Sequence, residues 1–300
     1  MLVKPFGFQG SSTVASVWDP TLNGDLTINY WYDFTSTSYV TLSGSSNEVL
    51  KVLPRQKPTG ETGLGELHDG SGTGKGYTNP VEFDTGFGID CINVNNAILF
   101  SGSDSLNLNW IPSGSTNNDE WSMVCITATD DWQGRGATNS IAAWNITATG
   151  DGYDSLNLFI TKNGDLGGGS TGCSGSGDFD ATYANYNGTN WGNSRIQNNP
   201  TNPSGSDGYV PNMYSTTYSG DSSPAKASFT VNNHNDCADI DFAKTSGNSA
   251  GLVIGAAPTF TSANSYNGRY WHLITYKGIL TGEQMKSLYN SWRTHYLSFA

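Results

Sequence analysis

The chain has 300 residues, with 14 Lys and Arg against 26 Asp and Glu, so its net charge is −12. A field of that sign, without a basic cluster to reverse it locally, argues against nucleic acid and anionic membranes as partners. The chain is rich in Gly, Ser, Thr and Asn, but 12% aromatic residues argue against disorder.

Residues 1–16 carry little periodic pattern and are predicted to form an N-terminal arm. The arm has one lysine and no apolar run of seven residues, so we expect no secretory signal peptide. Pro5 and Gly7 disfavour both strand and helix, so Phe6 and Phe8 must be buried against another part of a protein. We predict that Phe6 and Phe8 attach the arm to a neighbouring subunit or virion protein. The alternative is that the arm folds back onto its own domain.

From Val17 onward, short apolar segments recur between turns rich in Gly, Asn and Ser. This spacing is typical of an antiparallel sandwich or jelly roll, so we expect one all-β domain over residues 17–300. The predicted strands are NAILF (96–100), SLNLNW (105–110), SMVCITAT (122–129), SIAAWNI (140–146), SLNLFITK (155–162), KASFTVNN (226–233), GLVIGA (251–256) and RYWHLITYK (269–277).

A polar stretch interrupts this pattern at about residues 163–225. It begins with Asn163-Gly164, which predicts a tight hairpin after the SLNLFITK strand because both residues tolerate positive φ. The rest is dominated by Gly, Ser, Asn, Thr and Asp but contains several Tyr and Trp residues. Because long loops are uncommon unless functional or disordered, we predict a surface insertion that its aromatic residues hold in place.

One helix is predicted at the C-terminal end of the chain. Thr281 and Gln284 form a capping box, since each side chain can bond the other residue's backbone N–H. An apolar stripe at helical spacing then includes Met285, Leu288 and Trp292. We expect this stripe to pack on the sandwich.

The motifs in two segments resemble a known family. NAILFSGSDSLNLNW (96–110) resembles an opening strand of concanavalin A-like/laminin G-like domains, and the segment from GLVIGAAPTF to ILTGEQMKSLYNSW (251–292) is similar to the closing part of that family. The resemblance implies a concanavalin A-like antiparallel β-sandwich with one C-terminal helix. The segment from WYDF to YVTLSGSSNEV (31–49) resembles those domains as they occur in tailed-phage virion proteins.

The segment FDATYANYNGTNW (179–191) resembles the calcium loop of legume lectins with altered spacing. A carbohydrate-binding site is therefore predicted from the resemblance at Asp178, Asp180, Tyr183, Asn185 and Trp191. No complete calcium motif is present, so we predict no cofactor, with calcium as the alternative that the resemblance leaves open. VEFDT (81–85) also matches a short lectin metal motif, but the Asn expected after it is missing, and we predict no metal there.

The acidic residues do not form a recognisable glycosidase motif. Laminarinase-type enzymes of this fold carry Glu-x-Asp-x-x-Glu on one strand, and none of the six Glu residues stands in that spacing. Asp239 and Asp241 share a strand face but lack the Glu pair. The four Cys residues lie far apart, which favours free thiols over two disulfides. We therefore expect no enzymatic activity.

These observations predict a structural virion protein of a phage, either a capsid decoration, head-fibre or tail-fibre subunit. Its partners would be copies of itself, other virion proteins and host-surface glycans, with no nucleic acid and no membrane. It would be made in the host cytoplasm and located in the virion. The alternatives are a stand-alone carbohydrate-binding lectin module and, less favoured, a glycoside hydrolase.

Overall fold

The structure is a computed structural model, and it describes seventeen stretches of the chain. These are residues 18–44, 47–60, 65–69, 81–84, 97–101, 106–108, 120–129, 138–145, 155–162, 179–186, 191–196, 212–219, 225–232, 234–235, 240–242, 251–255 and 267–296. The N-terminal arm, with Phe6 and Phe8, lies outside the described residues.

The described strands form two antiparallel sheets. Sheet A consists of β1 (Ile28–Asp33), β5 (Glu82–Asp84), β6 (Ala97–Ser101), β8 (Glu120–Thr129), β13 (Asn212–Ser219), β14 (Ala225–Val231), β15 (His234–Asn235), β16 (Ile240–Phe242) and β18 (Asn267–Lys277). Sheet B consists of β2 (Val40–Leu42), β3 (Val49–Val52), β4 (Leu67–Asp69), β7 (Leu106–Leu108), β9 (Thr138–Asn145), β10 (Ser155–Lys162), β11 (Phe179–Tyr186), β12 (Trp191–Ile196) and β17 (Gly251–Ile254).

The strand order in sheet A is β15-β14-β13-β8-β18-β6-β5, with β16 beside β14 and β1 beside β18. Sheet B has the order β12-β11-β10-β9-β17-β7-β4-β3-β2. Both sheets combine runs of consecutive strands, such as β9 to β12 and β2 to β4, with neighbours that are distant in the chain, such as β8 beside β18 and β17 beside β7. This mixture is typical of a sandwich rather than of a simple meander. The prediction of an all-β, antiparallel fold with one C-terminal helix is confirmed.

The predicted strands agree closely with the described ones, and SLNLFITK coincides with β10. The predicted hairpin at Asn163-Gly164 is wrong, because Lys162 of β10 pairs with Phe179 of β11. Sixteen residues therefore separate the end of β10 from the start of its partner strand, and a two-residue turn does not join them. The Asn-Gly signal describes local backbone preference only, and pairing is decided by which strand covers the sheet.

The segment 163–225, predicted to be a polar surface insertion, contains three complete strands. β11 and β12 extend sheet B beyond β10, and β13 lies inside sheet A between β8 and β14. Seven of the eight residues of β13 are buried. Its polar sequence, NMYSTTYS, is compatible with burial because a central strand satisfies its backbone on both sides.

Helix α1 (Gly282–Tyr296) packs on the face of sheet A that is turned away from sheet B. Its capping box is formed, since Gln284 N donates to Thr281 Oγ1 at 3.2 Å and Thr281 N donates to Gln284 Oε1 at 2.8 Å. Met285, Leu288 and Trp292 are at most 3% exposed and belong to one core cluster. The predicted packing stripe is therefore confirmed, and each such side chain contributes about 1.5–3 kcal/mol of burial energy.

The opposite face of sheet A carries aromatic rings against sheet B. This face carries Tyr30 and Tyr32 of β1 and Phe34, the residue directly after β1. Each of these side chains is at most 1% exposed. Tyr32 donates its hydroxyl hydrogen to the Gly65 carbonyl at 2.8 Å, just before β4. A Cβ on Gly65 would lie 2.8 Å from the Tyr30 ring, and Gly65 has φ +105°, so this close approach requires glycine.

A buried ion pair joins β1 to the segment after β3. Arg55 donates to Asp33 Oδ2 at 2.5 Å, and Asp33 is 2% exposed. Burial acts to raise the pKa of Asp33, but neighbouring His272 and hydrogen bonds from Thr35 and Arg55 outweigh it, so that pKa is lowered. The guanidinium also lies 4.7 Å from the centre of the Trp31 ring, within the range of a cation–π interaction.

His272 on β18 is fully buried. Trp31 Nε1 donates to His272 Nδ1 at 3.3 Å, and the Trp18 ring centre is 5.2 Å from the imidazole. Burial lowers the pKa of His272 to about 4, while Asp33 nearby acts in the opposite direction. The imidazole is therefore neutral near pH 7 and serves packing.

Candidate functional site

The two faces of sheet B can be assigned from residues whose burial is described. Val52 on β3, Leu67 on β4 and Ile254 on β17 are each 0% exposed, so they mark the inner face. Lys51 and Glu66 alternate with them and form an ion pair of 3.3 Å, with side chains 35% and 30% exposed. Because successive residues of a strand face opposite ways, Lys51 and Glu66 mark the outer face.

One register row can be followed over the outer face from β3 to β12. Consecutive pairings connect residues at equivalent positions on eight strands, namely Lys51, His68, Asn107, Val253, Ala143, Asn157, Ala184 and Asn193. With about 4.8 Å between neighbouring strands, the row is about 34 Å long. Its middle consists of small residues flanked by amides, so the outer face combines room for a ligand with hydrogen-bonding groups.

An aromatic pair lies at one end of this face. Tyr186 of β11 pairs with Trp191 of β12. Both positions are two residues from members of the outer row, Ala184 and Asn193, and therefore share its face. Tyr and Trp offer large, rigid, amphipathic surfaces at low entropic cost, which suits binding of sugar rings.

The structure divides the predicted carbohydrate-binding residues between the two faces. Asp180 and Trp191 occupy outer-face positions of β11 and β12. Tyr183 pairs with Leu158, which pairs with Ala142, the partner of buried Ile254, so Tyr183 occupies an inner-face position. Asn185, two residues further, shares that inner face. Asp178 lies outside the described residues.

Several outer-face positions were not identified from the sequence, among them Asn107, Asn157, Tyr186 and Asn193. In FDATYANY, both alternating sets contain an aromatic and a polar residue, so the strand's own pattern does not identify its outward side. The available signal was in β10, where Leu156, Leu158 and Ile160 recur at every second position and Asn157 lies on the opposite side.

Two carboxylates on the outer face are Glu66 and Asp180. Glu66 immediately precedes β4, and Asp180 lies on β11. These two strands are five strand spacings apart in sheet B, which corresponds to a distance of about 24 Å. Glycosidase carboxylates stand about 5–9.5 Å apart. A hydrolytic pair on this face would thus need a carboxylate from the segments between the described strands.

Metal-ligating residues do not cluster in the part of the chain that the structure describes: no three His, Cys, Asp or Glu side chains come together there. Glu82 and Asp84 of the lectin-like VEFDT segment lie on β5, at the edge of sheet A. Cys125 on β8 is a buried free thiol. No described helix is long and apolar enough to cross a membrane.

No protein-family model and no curated protein matches the sequence. Solved structures do match the fold. A GH54 α-L-arabinofuranosidase has a TM-score of 0.62 at 12% identity, over 93% of this chain and 65% of that chain. An arabinofuranosidase bound to arabinofuranosyl-α-1,2-xylobiose has a TM-score of 0.56 at 12% identity, over 91% and 60%. Domain 4 of a GH43 arabinanase from Geobacillus stearothermophilus has a TM-score of 0.49 at 12% identity, over 88% and 98%.

The chain thus spans about two thirds of the length of the arabinofuranosidases that it resembles. At these identities the similarity shows the fold and no more, and that fold is a lectin-like β-sandwich found in carbohydrate-active proteins. The expectation that the chain is not an enzyme is overturned by this finding, because the matching structures with TM-scores above 0.5 include glycoside hydrolases. The motif on which that expectation depended belongs to a different hydrolase type, and its absence excludes only that type.

Proposed function

We propose that this chain is a carbohydrate-active domain that binds a glycan on the outer face of sheet B. The observation that carries the proposal is the register row from Lys51 to Asn193, which brings amide and small residues of separate strands together on one face. The aromatic pair Tyr186 and Trp191 stands beside that row. The structural neighbours support the proposal, since they include arabinofuranosidases, one of them in complex with arabinofuranosyl-α-1,2-xylobiose.

The opposite sheet is less suited to this role. On the outer face of sheet A, α1 covers the central strands, and Leu288 belongs to one core cluster with Val124 and Ile126 of β8. A ligand there would have to displace a helix whose core residues are almost fully buried. Sheet B therefore offers the better surface.

The proposal is tested with single substitutions in the aromatic pair. Trp191→Ala and Tyr186→Ala should each weaken glycan binding at least about tenfold, because one stacking surface is lost, which corresponds to about 1.4 kcal/mol. Binding would be measured on a glycan microarray and by calorimetry with the best ligand found.

Ile279→Ala is a matched control. Ile279 is 44% exposed and lies between β18 and α1, so the change removes exposed apolar surface away from sheet B. It should leave binding unchanged. Unaltered binding by both aromatic variants, with folding intact, would show that the ligand binds elsewhere.

Glycoside hydrolysis is a second candidate, favoured by the arabinofuranosidase structures. The direct test is release of 4-nitrophenol from 4-nitrophenyl α-L-arabinofuranoside, followed across pH 4–8. If turnover occurs, substitution of the acidic residues between the strands, beginning with Asp178→Asn, would locate the carboxylates. No turnover on this compound or on arabinan would leave binding as the function.

The finer role of structural virion protein, with other virion proteins and copies of itself as partners, is part of the proposal. Its support is the resemblance of residues 31–49 to tailed-phage domains, together with the arm that carries Phe6 and Phe8. A fibre or decoration subunit is expected to be a symmetric oligomer in solution. Light scattering measures this mass, and a monomer at all concentrations would count against the role.

A further inference from the structure

The four central strands of sheet B, in the order β7-β17-β9-β10, carry uncharged residues at their outer-face positions. Register assigns these positions to Asn107 on β7, Gly251 and Val253 on β17, Thr138, Ser140, Ala143 and Asn145 on β9, and Ser155, Asn157, Phe159 and Thr161 on β10. Charged residues of this face occur towards the two ends, with Lys51, Glu66 and His68 at one and Asp180 and Arg195 at the other.

We propose that the site selects neutral glycans over anionic ones, because Asn107, Asn145 and Asn157 share the centre of the face with uncharged neighbours. This inference rests on the proposed function and specifies the class of its ligand. An Asn amide carries both donors and an acceptor, so it matches a sugar hydroxyl, which also donates and accepts.

A carboxylate on the ligand would have no cationic partner at these central positions. Recognition of sialic or uronic acids ordinarily uses Arg or Lys, whose charged hydrogen bonds are about twice as strong as neutral ones. Lys51 is already paired with Glu66. The net charge of −12 further disfavours the approach of an anion.

The test uses glycans that differ in charge but share a sugar scaffold. Lactose is compared with 3′-sialyllactose, galactotriose with trigalacturonate, and arabinotriose is added as a neutral pentose. We expect the bound glycans to be neutral, with at least about tenfold preference over the anionic partner. Their affinity should change less than about twofold between 50 and 500 mM salt, because no ion pair is screened.

A substitution in the central row provides a second readout. Ala143→Lys places a cation among the uncharged positions and should shift the preference towards the anionic member of each pair, whereas the neutral Ala143→Met should not. Melting temperatures establish that both variants fold, and the salt series on the unsubstituted protein needs no variant.

The experiment distinguishes failure of the neutral preference from failure of glycan binding itself. Equal or tighter binding of the anionic glycans, or affinity that falls steeply with salt, would overturn the neutral preference while leaving glycan binding intact. Failure to bind any glycan of either class would overturn the proposed function itself, and this inference with it.

Discussion

The buried pair of Asp33 and Arg55 allows a sharp prediction, because the same chain contains a half-exposed pair for comparison. Asp33 is 2% exposed and Arg55 22%, while Lys51 and Glu66 are 35% and 30% exposed. Asp33→Asn keeps the size of the side chain but leaves the guanidinium without its carboxylate. Removing one partner of a buried pair costs about 3–5 kcal/mol, against at most about 1 kcal/mol for a surface pair.

Urea unfolding of Asp33→Asn and Glu66→Gln at pH 7 measures how much each substitution lowers the free energy of unfolding. An unchanged dependence of that free energy on urea concentration would show that the unfolded state is the same. Because the folded pKa of Asp33 is lowered, its contribution exists above the unfolded pKa and is lost as the pH falls through the folded pKa. The difference between Asp33→Asn and the unsubstituted protein should therefore narrow in acid. A penalty below about 1 kcal/mol at pH 7, equal to that of Glu66→Gln, would refute the reasoning.

Three further predictions concern the core. Trp292→Ala should lower the free energy of unfolding by about 3–5 kcal/mol in denaturant melts, since this side chain of α1 is 1% exposed. A decrease under about 1 kcal/mol would contradict the packing of α1 on sheet A. The pKa of His272 is about 4 in the folded protein, below the 6.5 of the unfolded chain. The free energy of unfolding should therefore fall by on the order of 3 kcal/mol as the pH drops from about 6.5 to 4. Melts of His272→Gln over the same pH range should lack this loss of stability. Gly65→Ala should lower the melting temperature by several degrees through the clash with Tyr30, and an unchanged value would mean that the ring can move.

The sequence was sufficient for the eight predicted strands and the helix because their patterns are local. β10 has an aliphatic residue at every second position, and α1 has both its capping box and its apolar stripe, so each is recognisable from its own segment. β13 was missed because a central strand with polar residues has no such local pattern. Its place depends on β8 and β14, which lie about 90 residues before it and a few residues after it.

The candidate site was harder to predict because its residues become neighbours only through strand order. Asn107 and Asn157 are fifty residues apart in the chain and are joined through Val253 and Ala143 on two intervening strands. Tyr183 was assigned to the site from the resemblance of residues 179–191 to the calcium loop of legume lectins. Its register with Leu158 gives it the inward position instead.

The position of β18 has a consequence for how the chain folds during synthesis. β1 pairs with β18, so Ile28 finds its partner in Tyr276, almost 250 residues later. At a translation rate of about 5–20 residues per second, roughly 12–50 s pass between the synthesis of β1 and that of its partner. During this time the edge of β1 that pairs with β18 is unpaired. Contacts this distant in sequence also slow folding once the chain is complete. Newly made chains should therefore need protection by chaperones until Lys277 has emerged and sheet A can close.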